Sequence, residues 1–189
     1  MKRVDAYRKN IACLESLWDS DVEEPLSVVP MLELIAKIND VRFTHLTCNT
    51  LEEFKFNLRK LPKTGGYRVL YLAFHGTPGQ LELPDGSVLS LEELAKFLRR
   101  RFAGWIVHFG TCETLSVSTS RLNRFLEATD VALMIGYKKG VDWAESAAMD
   151  MIILDWIQSY KNMRSMWKHV SKSCNQLVAL TGLRVYPPR

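Results

Sequence analysis

The sequence predicts an α/β protein of three layers, in which helices cover both faces of a mostly parallel six-stranded sheet. Two strongly apolar runs, VLYLAFHG at 69–76 and WIVHFGTC at 105–112, are too short for helices and are typical of strands buried on both faces. Helix-start patterns alternate with the strand patterns, as the crossover connections of parallel strands require. The chain has 189 residues, of which 47% are hydrophobic, so we expect a single domain over residues 1–189.

Six strands are predicted from apolar runs that are bounded by turn residues. They cover residues 11–18, 41–46, 67–75, 105–109, 131–137 and 183–186. The last is expected at the edge of the sheet, because Pro187 and Pro188 forbid its continuation. A small hairpin is predicted after the third strand, because Pro-Asp-Gly at 84–86 forms a turn between short segments at 80–83 and 87–89.

Helices are predicted between the strands, and three of them begin with a capping pattern. They cover about residues 27–39, 50–60, 117–129, 143–160 and 163–180, with a further helix that starts at residue 90. Thr50 with Glu53, and Ser90 with Glu93, have the spacing of capping boxes, and Ser27 is expected to cap the first helix. The apolar face of that first helix is predicted to consist of Met31, Leu34, Ile35 and Ile38.

Composition and charge argue against several functional classes. The formal net charge is +4, and the basic residues do not alternate with aromatic residues, so a nucleic-acid partner is not expected. No stretch approaches about eighteen uncharged apolar residues, and the first residues lack a signal-peptide pattern, so we expect a cytoplasmic protein with no membrane partner. Cys13, Cys48, Cys112 and Cys174 are far apart in sequence and form no CxxC motif, so we expect no disulfide framework and no metal site. No cofactor is expected either.

His75 and Cys112 are the candidate catalytic residues, because each follows a strongly apolar strand. The carboxyl ends of parallel strands share one edge of a sheet, so we expect the imidazole and the thiol to converge in the crevice there. An imidazole can take the proton of a thiol and later return it to a leaving amine. The backbone amides of Gly76 and Cys112 are candidate oxyanion donors. Alternatively, His75 could simply cap the end of a strand, and Cys112 could be an ordinary buried thiol.

The order strand, His-Gly, hairpin, helix, strand, Cys, helix and strand resembles that of the caspase-like cysteine peptidases of clan CD. The resemblance covers about residues 11–160 and implies strand order 213456 with the last strand antiparallel. It also implies a catalytic His75, a nucleophilic Cys112 and an oxyanion hole at Gly76. The QACRG motif of animal caspases is replaced by GTCET at 110–114, and the His lies closer to the Cys than the roughly 50 residues usual there. These departures favour the bacterial caspase-like, CHAT-like or clostripain-like branch.

Acidic residues in two loops are the candidate substrate-binding residues. Asp19 and Asp21 follow the first predicted strand, and Asp142 follows the fifth. Basic-specific relatives receive Arg or Lys in an acidic pocket, where a carboxylate can pair with a guanidinium in bidentate fashion, so the resemblance implies cleavage after a basic residue. Lys138 and Lys139 would instead favour an acidic residue, and this alternative stays open.

The favoured function is that of a cysteine endopeptidase, which cleaves a protein or peptide substrate through a thioester. Small bacterial relatives imply a regulated effector in stress or antiphage defence, switched on by an activating partner or by homo-oligomerisation. A catalytically silent module that binds a partner protein or a small signalling molecule is the alternative. A receiver or nucleotide-binding domain ranks last, because no phosphate-binding glycine motif or phospho-acceptor aspartate ends a strand.

Overall fold

The structure, a computed structural model, describes residues 7–19 and 26–186. Nine strands lie in these ranges: β1 (Asn10–Glu15), β2 (Phe43–Thr47), β3 (Tyr67–Ala73), β4 (His75–Thr77), β5 (Gln80–Glu82), β6 (Val88–Ser90), β7 (Ile106–Gly110), β8 (Leu133–Tyr137) and β9 (Leu183–Tyr186). The same ranges contain seven α-helices: α1 (Val29–Asn39), α2 (Leu51–Lys60), α3 (Leu91–Leu98), α4 (Thr119–Thr129), α5 (Trp143–Ser159), α6 (Met163–Ser173) and α7 (Asn175–Thr181).

The main sheet has six strands in the order β2-β1-β3-β7-β8-β9. Five of them run parallel, and β9 pairs antiparallel with β8 at one edge. Successive side chains of a strand point to opposite faces, so along β3 Leu70 and Leu72 enter one core while Val69 and Tyr71 enter the other. The predicted fold class and the predicted strand order are confirmed.

Helices cover both faces of this sheet. On one face α2, α3 and α4 contribute Phe54, Leu94 and Phe125 to the core. On the other face α1, α5, α6 and α7 pack around residues such as Ile35 and Ile153. Full burial of each such side chain contributes about 1.5–3 kcal/mol to the stability of the fold. Within residues 7–19 and 26–186, no helix is long and apolar enough to cross a membrane.

A separate three-stranded antiparallel sheet, in the order β4-β5-β6, follows the third strand of the main sheet. The predicted hairpin is present as β5 and β6, but the prediction that the third strand includes His75 is wrong. That strand ends at Ala73, and His75 begins β4, where it pairs with Glu82. The small sheet is anchored because Leu81 and Leu89 are buried in the core beneath it.

The first helix buries only part of the predicted face: Ile35 is buried and Met31 packs against the same core, as predicted. Leu32 and Ile35 are buried in α1, whereas Leu34 is 46% exposed and Ile38 is 60% exposed. Apolar side chains lie on both sides of this helix, so their spacing identified the packed face only in part.

The two predicted capping boxes are confirmed. The side chains of Thr50 and Ser90 accept hydrogen bonds from the backbone of Glu53 and Glu93, and each glutamate returns a bond to the cap residue's backbone N–H. Ser27 lies one residue before the cap position of α1, although its hydroxyl accepts a hydrogen bond of 3.2 Å from a first-turn N–H.

The largest differences in predicted boundaries are in the first strand and in the helix predicted over 163–180. The first strand ends at Glu15 rather than at residue 18, and the backbone of residues 16–19 is irregular, with bends at 18–19. The predicted helix over 163–180 is divided into α6 and α7, because the backbone of Cys174 (φ −121°, ψ 32°) leaves the helical conformation.

Candidate active site

His75 lies just beyond the carboxyl end of β3, as the first residue of β4, and its side chain is exposed. Its Nε2 atom is 2.5 Å from the carbonyl oxygen of Trp18, which is in the loop after β1. A carbonyl oxygen only accepts hydrogen bonds, so Nε2 must carry the ring proton and Nδ1 has the lone pair. The Trp18 ring also contacts the imidazole edge-on, at 5.3 Å between centroids. His75 is therefore held as the tautomer whose Nδ1 can act as a base.

Cys112 lies two residues beyond the end of β7, the strand next to β3. The Sγ atom faces the loop after β8, where the backbone N–H of Val141 points to the sulfur at 3.4 Å. The turn around Cys112 is held by a 2.7 Å hydrogen bond from Thr111 Oγ1 to Thr114 Oγ1 and by a 3.0 Å bond from Thr114 Oγ1 to the carbonyl of Gln80. The thiol is therefore fixed between the small sheet and the loop after β8.

A cavity of about 200 Å³ contains both candidate residues. Its lining residues come from the carboxyl ends of neighbouring strands and from the start of α5: Trp18, His75, Gly110, Thr111, Cys112, Tyr137, Val141, Trp143 and Ser146. The expected convergence of the thiol and the imidazole at one edge of the sheet is thus present in the structure.

Gly76 is packed directly against the loop that carries Cys112. A Cβ atom at this position would lie 2.4 Å from Thr114 Oγ1 and 2.8 Å from the carbonyl oxygen of Cys112. No side chain other than hydrogen fits there without displacing that loop. The close approach brings the backbone of Gly76 beside the backbone of Cys112, the two positions expected to supply oxyanion donors.

Glu15, at the end of β1, organises the loop on which Trp18 lies. Its buried carboxylate accepts hydrogen bonds from Trp18 Nε1 (2.8 Å), Ser27 Oγ (2.7 Å) and the Val28 N–H (2.8 Å), and lies 2.7 Å from His45 Nε2. Burial raises the pKa of Glu15, but the hydrogen bonds from His45, Trp18, Ser27 and Val28 outweigh burial and leave the pKa below its ordinary value. Sequence reasoning missed this residue, which acts on His75 through Trp18.

Neither Asp19 nor Asp142, two of the three acidic residues expected to bind substrate, lines the cavity that contains Cys112. Asp19 is exposed and lines a different cavity of about 360 Å³, to which His75 and Glu82 also contribute. Asp142 is exposed and caps α5, accepting a hydrogen bond of 2.9 Å from the N–H of Ala144. Asp21 lies outside the described residues.

Asp150, which sequence reasoning also missed, is buried behind the cavity. Its carboxylate accepts a 2.6 Å hydrogen bond from the Tyr71 hydroxyl and a further bond from the Tyr137 hydroxyl, and it lies 2.8 Å from His108 Nε2. Burial raises the pKa of both tyrosines, and the negative charge of Asp150 raises it further. The one sequence pattern that could have found this residue is a lone acid within the apolar helical segment AAMDMIIL at 147–154.

Comparison with solved structures shows that the chain has a caspase-like fold. It is similar to the crystal structure of the Drosophila initiator caspase Dronc, with a TM-score of 0.57, 10% sequence identity, and coverage of 91% of this chain and 75% of that chain. At this identity the similarity shows the fold alone. No curated protein matches the sequence. A family model described as a family of unknown function, DUF6642, matches residues 8–187, and the chain therefore belongs to the DUF6642 family.

Proposed function

We propose that this protein is a cysteine endopeptidase in which Cys112 is the nucleophile and His75 is the general base. The observation that carries the proposal is the shared cavity, which both side chains line beside the ends of neighbouring parallel strands. The contact between His75 Nε2 and the Trp18 carbonyl supports it, because this contact leaves Nδ1 as the basic nitrogen.

In the proposed reaction, Nδ1 of His75 takes the proton of the Cys112 thiol, and the thiolate attacks the carbonyl carbon of the scissile peptide bond. The C–N bond then breaks, and the protonated imidazole gives its proton to the leaving amine. A water molecule, deprotonated by the same imidazole, attacks the thioester, releases the carboxylic acid and regenerates the thiol. Attack on the peptide carbonyl and attack on the thioester each form a tetrahedral intermediate with an oxyanion. The backbone amides of Gly76 and Cys112 are the proposed hydrogen-bond donors to this oxyanion.

The proposed substrate is a protein or peptide cleaved after a basic residue. Acidic groups near the site support this preference, since Asp19 and Glu82 line the cavity on which His75 also borders. The alternative preference for an acidic residue has less support, because Lys139 is already engaged: its Nζ atom donates a 3.0 Å hydrogen bond to the carbonyl of Ala179.

Regulation by an activating partner or by homo-oligomerisation, in stress or antiphage defence, is part of the same proposal. Its support is the resemblance of the sequence pattern to small bacterial caspase-like proteins. If homo-oligomerisation activates the enzyme, the labelling rate of Cys112 per molecule rises with protein concentration. If a partner activates it, that rate is independent of concentration until the partner is added.

A catalytically silent binding module is the second candidate. This module would use the same cavity to hold a partner protein or a small signalling molecule, and it would not require an activated thiol. The reactivity of Cys112 therefore separates the two functions.

The experiment is labelling of the intact protein with peptidyl acyloxymethyl ketones, followed by intact-mass measurement. We expect one label on the wild type, none on Cys112→Ala and at least about tenfold slower labelling of His75→Ala, since general bases contribute about 10²–10⁴-fold. Cys174→Ala is the matched control, because it removes another half-buried thiol outside the cavity. Labelling of Cys112 that does not depend on His75 contradicts the proposal.

A further inference from the structure

A small crevice adjoins the cavity that contains Cys112, and Asp150 lies in its lining. The crevice has a volume of about 20 Å³ and is lined by Trp18, Val28, Tyr71, Gly110, Trp143, Ser146, Ala147 and Asp150. Four of these residues, Trp18, Gly110, Trp143 and Ser146, also line the larger cavity. The Asp150 carboxylate thus lines a crevice next to the cavity that contains Cys112.

The Asp150 carboxylate has no permanently charged partner in the described part of the chain. Its neighbours are two tyrosine hydroxyls and His108, and no lysine or arginine nitrogen of the described residues lies within 4.0 Å. Burial and the charge of Asp150 raise the pKa of Tyr71 and Tyr137, so both hydroxyls are neutral donors. Burial of a carboxylate charge is costly unless a cation pairs with it, so a cationic ligand would stabilise the Asp150 carboxylate.

The carboxylate also retains capacity to accept a further donor. An ionised carboxylate has about four acceptor positions. The hydrogen bonds from Tyr71 and Tyr137 use two of them, and His108 Nε2, although 2.8 Å from the carboxylate, makes no hydrogen bond to it. One more N–H donor from a ligand can therefore bind without displacing the tyrosines.

The walls of the crevice suit a cationic side chain. Trp18 and Trp143 meet edge to face, with 4.7 Å between ring centroids, and aromatic rings attract cations while their surfaces pack against aliphatic chains. Gly110 lets the Tyr71 ring pack closely beside the crevice, because a Cβ atom there would lie 2.7 Å from the Tyr71 hydroxyl oxygen. A volume of about 20 Å³ admits little more than one water-sized group. The aliphatic stem of a bound side chain must therefore occupy the larger cavity. A guanidinium is bulkier than an ammonium group, so binding of arginine also requires one of the two tryptophans to shift.

We propose that Asp150, with Trp18 and Trp143, forms the pocket that receives a lysine or arginine side chain immediately before the bond to be cleaved. This inference rests on the proposed cysteine peptidase function. It assigns the choice of a basic residue to a buried carboxylate on α5, rather than to the exposed residues Asp19 and Asp142.

The test compares probes that differ in charge but not in shape. Peptidyl acyloxymethyl ketones that end in arginine or in its neutral isostere citrulline are reacted with wild type, and the labelling rates of Cys112 are compared. We expect the arginine probe to react about 10- to 100-fold faster, the effect of one charge-assisted hydrogen bond. We expect Asp150→Asn to bring the ratio of the arginine-probe rate to the citrulline-probe rate close to one. Glu127→Gln removes an exposed acid outside the crevice and should leave this ratio unchanged.

A second pair of variants keeps the test valid if Asp150→Asn fails to fold. Ala147 lines the crevice beside Asp150 and is half-buried. Ala147→Lys places a cation there and is expected to abolish the preference for arginine, whereas the matched Ala147→Gln adds similar bulk without the charge and retains it. Equal rates for the two probes on wild type, or faster reaction with an aspartate probe, overturn the inference.

A third readout separates failure of this inference from failure of the proposed function. Iodoacetamide is small and uncharged, so its reaction with Cys112 reports on the activation of the thiol and not on the pocket. If the iodoacetamide rate is the same in wild type and His75→Ala, the proposed function is wrong. The iodoacetamide rate can instead depend on His75 while the arginine and citrulline probes react equally or do not react. In that case the proposed dyad is retained and the proposed Asp150 pocket is rejected.

Discussion

Gly76 is the residue at which the two loops of the candidate site touch. Replacement by alanine puts a methyl group 2.8 Å from the carbonyl oxygen of Cys112, so the loop must shift. We expect Gly76→Ala to lower the free energy of unfolding by about 1–3 kcal/mol, the usual cost of overpacking, and to slow labelling of Cys112 at least about tenfold.

Gly65→Ala is the matched control for this prediction. Nothing lies within 4 Å of a Cβ atom at Gly65, so alanine there should leave the labelling rate unchanged. Urea unfolding and intact-mass kinetics measure the two effects. A Gly76→Ala protein that labels at the wild-type rate would show that the close contact with the Cys112 loop has no role in the site.

Glu15 predicts a pH dependence of stability. The folded-state pKa of Glu15 is below the unfolded value of 4.5, so the native state binds fewer protons in the interval between them. Its contribution is fully present above the unfolded value and is lost as the pH falls through the folded pKa. We therefore expect Glu15→Gln to be less stable than wild type near neutral pH, and the difference to shrink as the pH falls below 4.5.

Urea unfolding over a pH series measures this difference, and Glu127→Gln controls for the loss of an exposed carboxylate. Because the Trp18 loop positions His75, Glu15→Gln should also reduce the His75-dependent part of the reaction of Cys112 with iodoacetamide. A stability difference that is constant with pH would show that the carboxylate's charge is not what holds the loop.

At the scale of single elements, α1 provides a direct test of which helix face packs on the sheet. Ile35 is 1% exposed and Ile38 is 60% exposed, although both are isoleucines of the same helix. We expect Ile35→Ala to cost about 2–5 kcal/mol of unfolding free energy, and Ile38→Ala to change it by less than about 0.5 kcal/mol. Equal costs in urea unfolding would mean that both sides of α1 are covered in solution.

The small sheet β4-β5-β6 is the element that places the imidazole. Because β4 leaves the main sheet immediately after β3, His75 points toward the Trp18 loop instead of continuing the ladder beside β7. The turn that holds Cys112 is bonded to the same small sheet through Thr114 and the carbonyl of Gln80. The distance between base and nucleophile therefore depends on this sheet as well as on the main one.

At the scale of the whole molecule, the sequence predicted the strands that support the site better than it predicted helix packing. The main-sheet strands followed from apolar runs, since a strand buried on both faces needs apolar residues at successive positions, whereas their order followed from the resemblance to caspase-like peptidases. His75 and Cys112 could be selected because each comes just after such a run. The packed face of α1 could be identified only in part, because Leu34 and Ile38 continue an apolar pattern on the exposed side.

The group around Asp150 was not predictable from local pattern. Its members come from four elements, with Tyr71 on β3, His108 on β7, Tyr137 on β8 and Asp150 on α5, and only the tertiary fold brings them together. Glu15 was missed for a similar reason, since its partners Ser27 and His45 belong to segments that are distant in sequence.

The most direct test of the central claim is the second-order rate at which iodoacetamide alkylates Cys112, compared between wild type and His75→Ala across the pH range in which imidazoles titrate. If Nδ1 of His75 takes the proton of the thiol, the wild type reacts at least about tenfold faster near neutral pH, and the profile shows a step that is absent from the variant. Identical rates and profiles for the two proteins would contradict a catalytic dyad and leave a caspase-like fold that binds without cleaving.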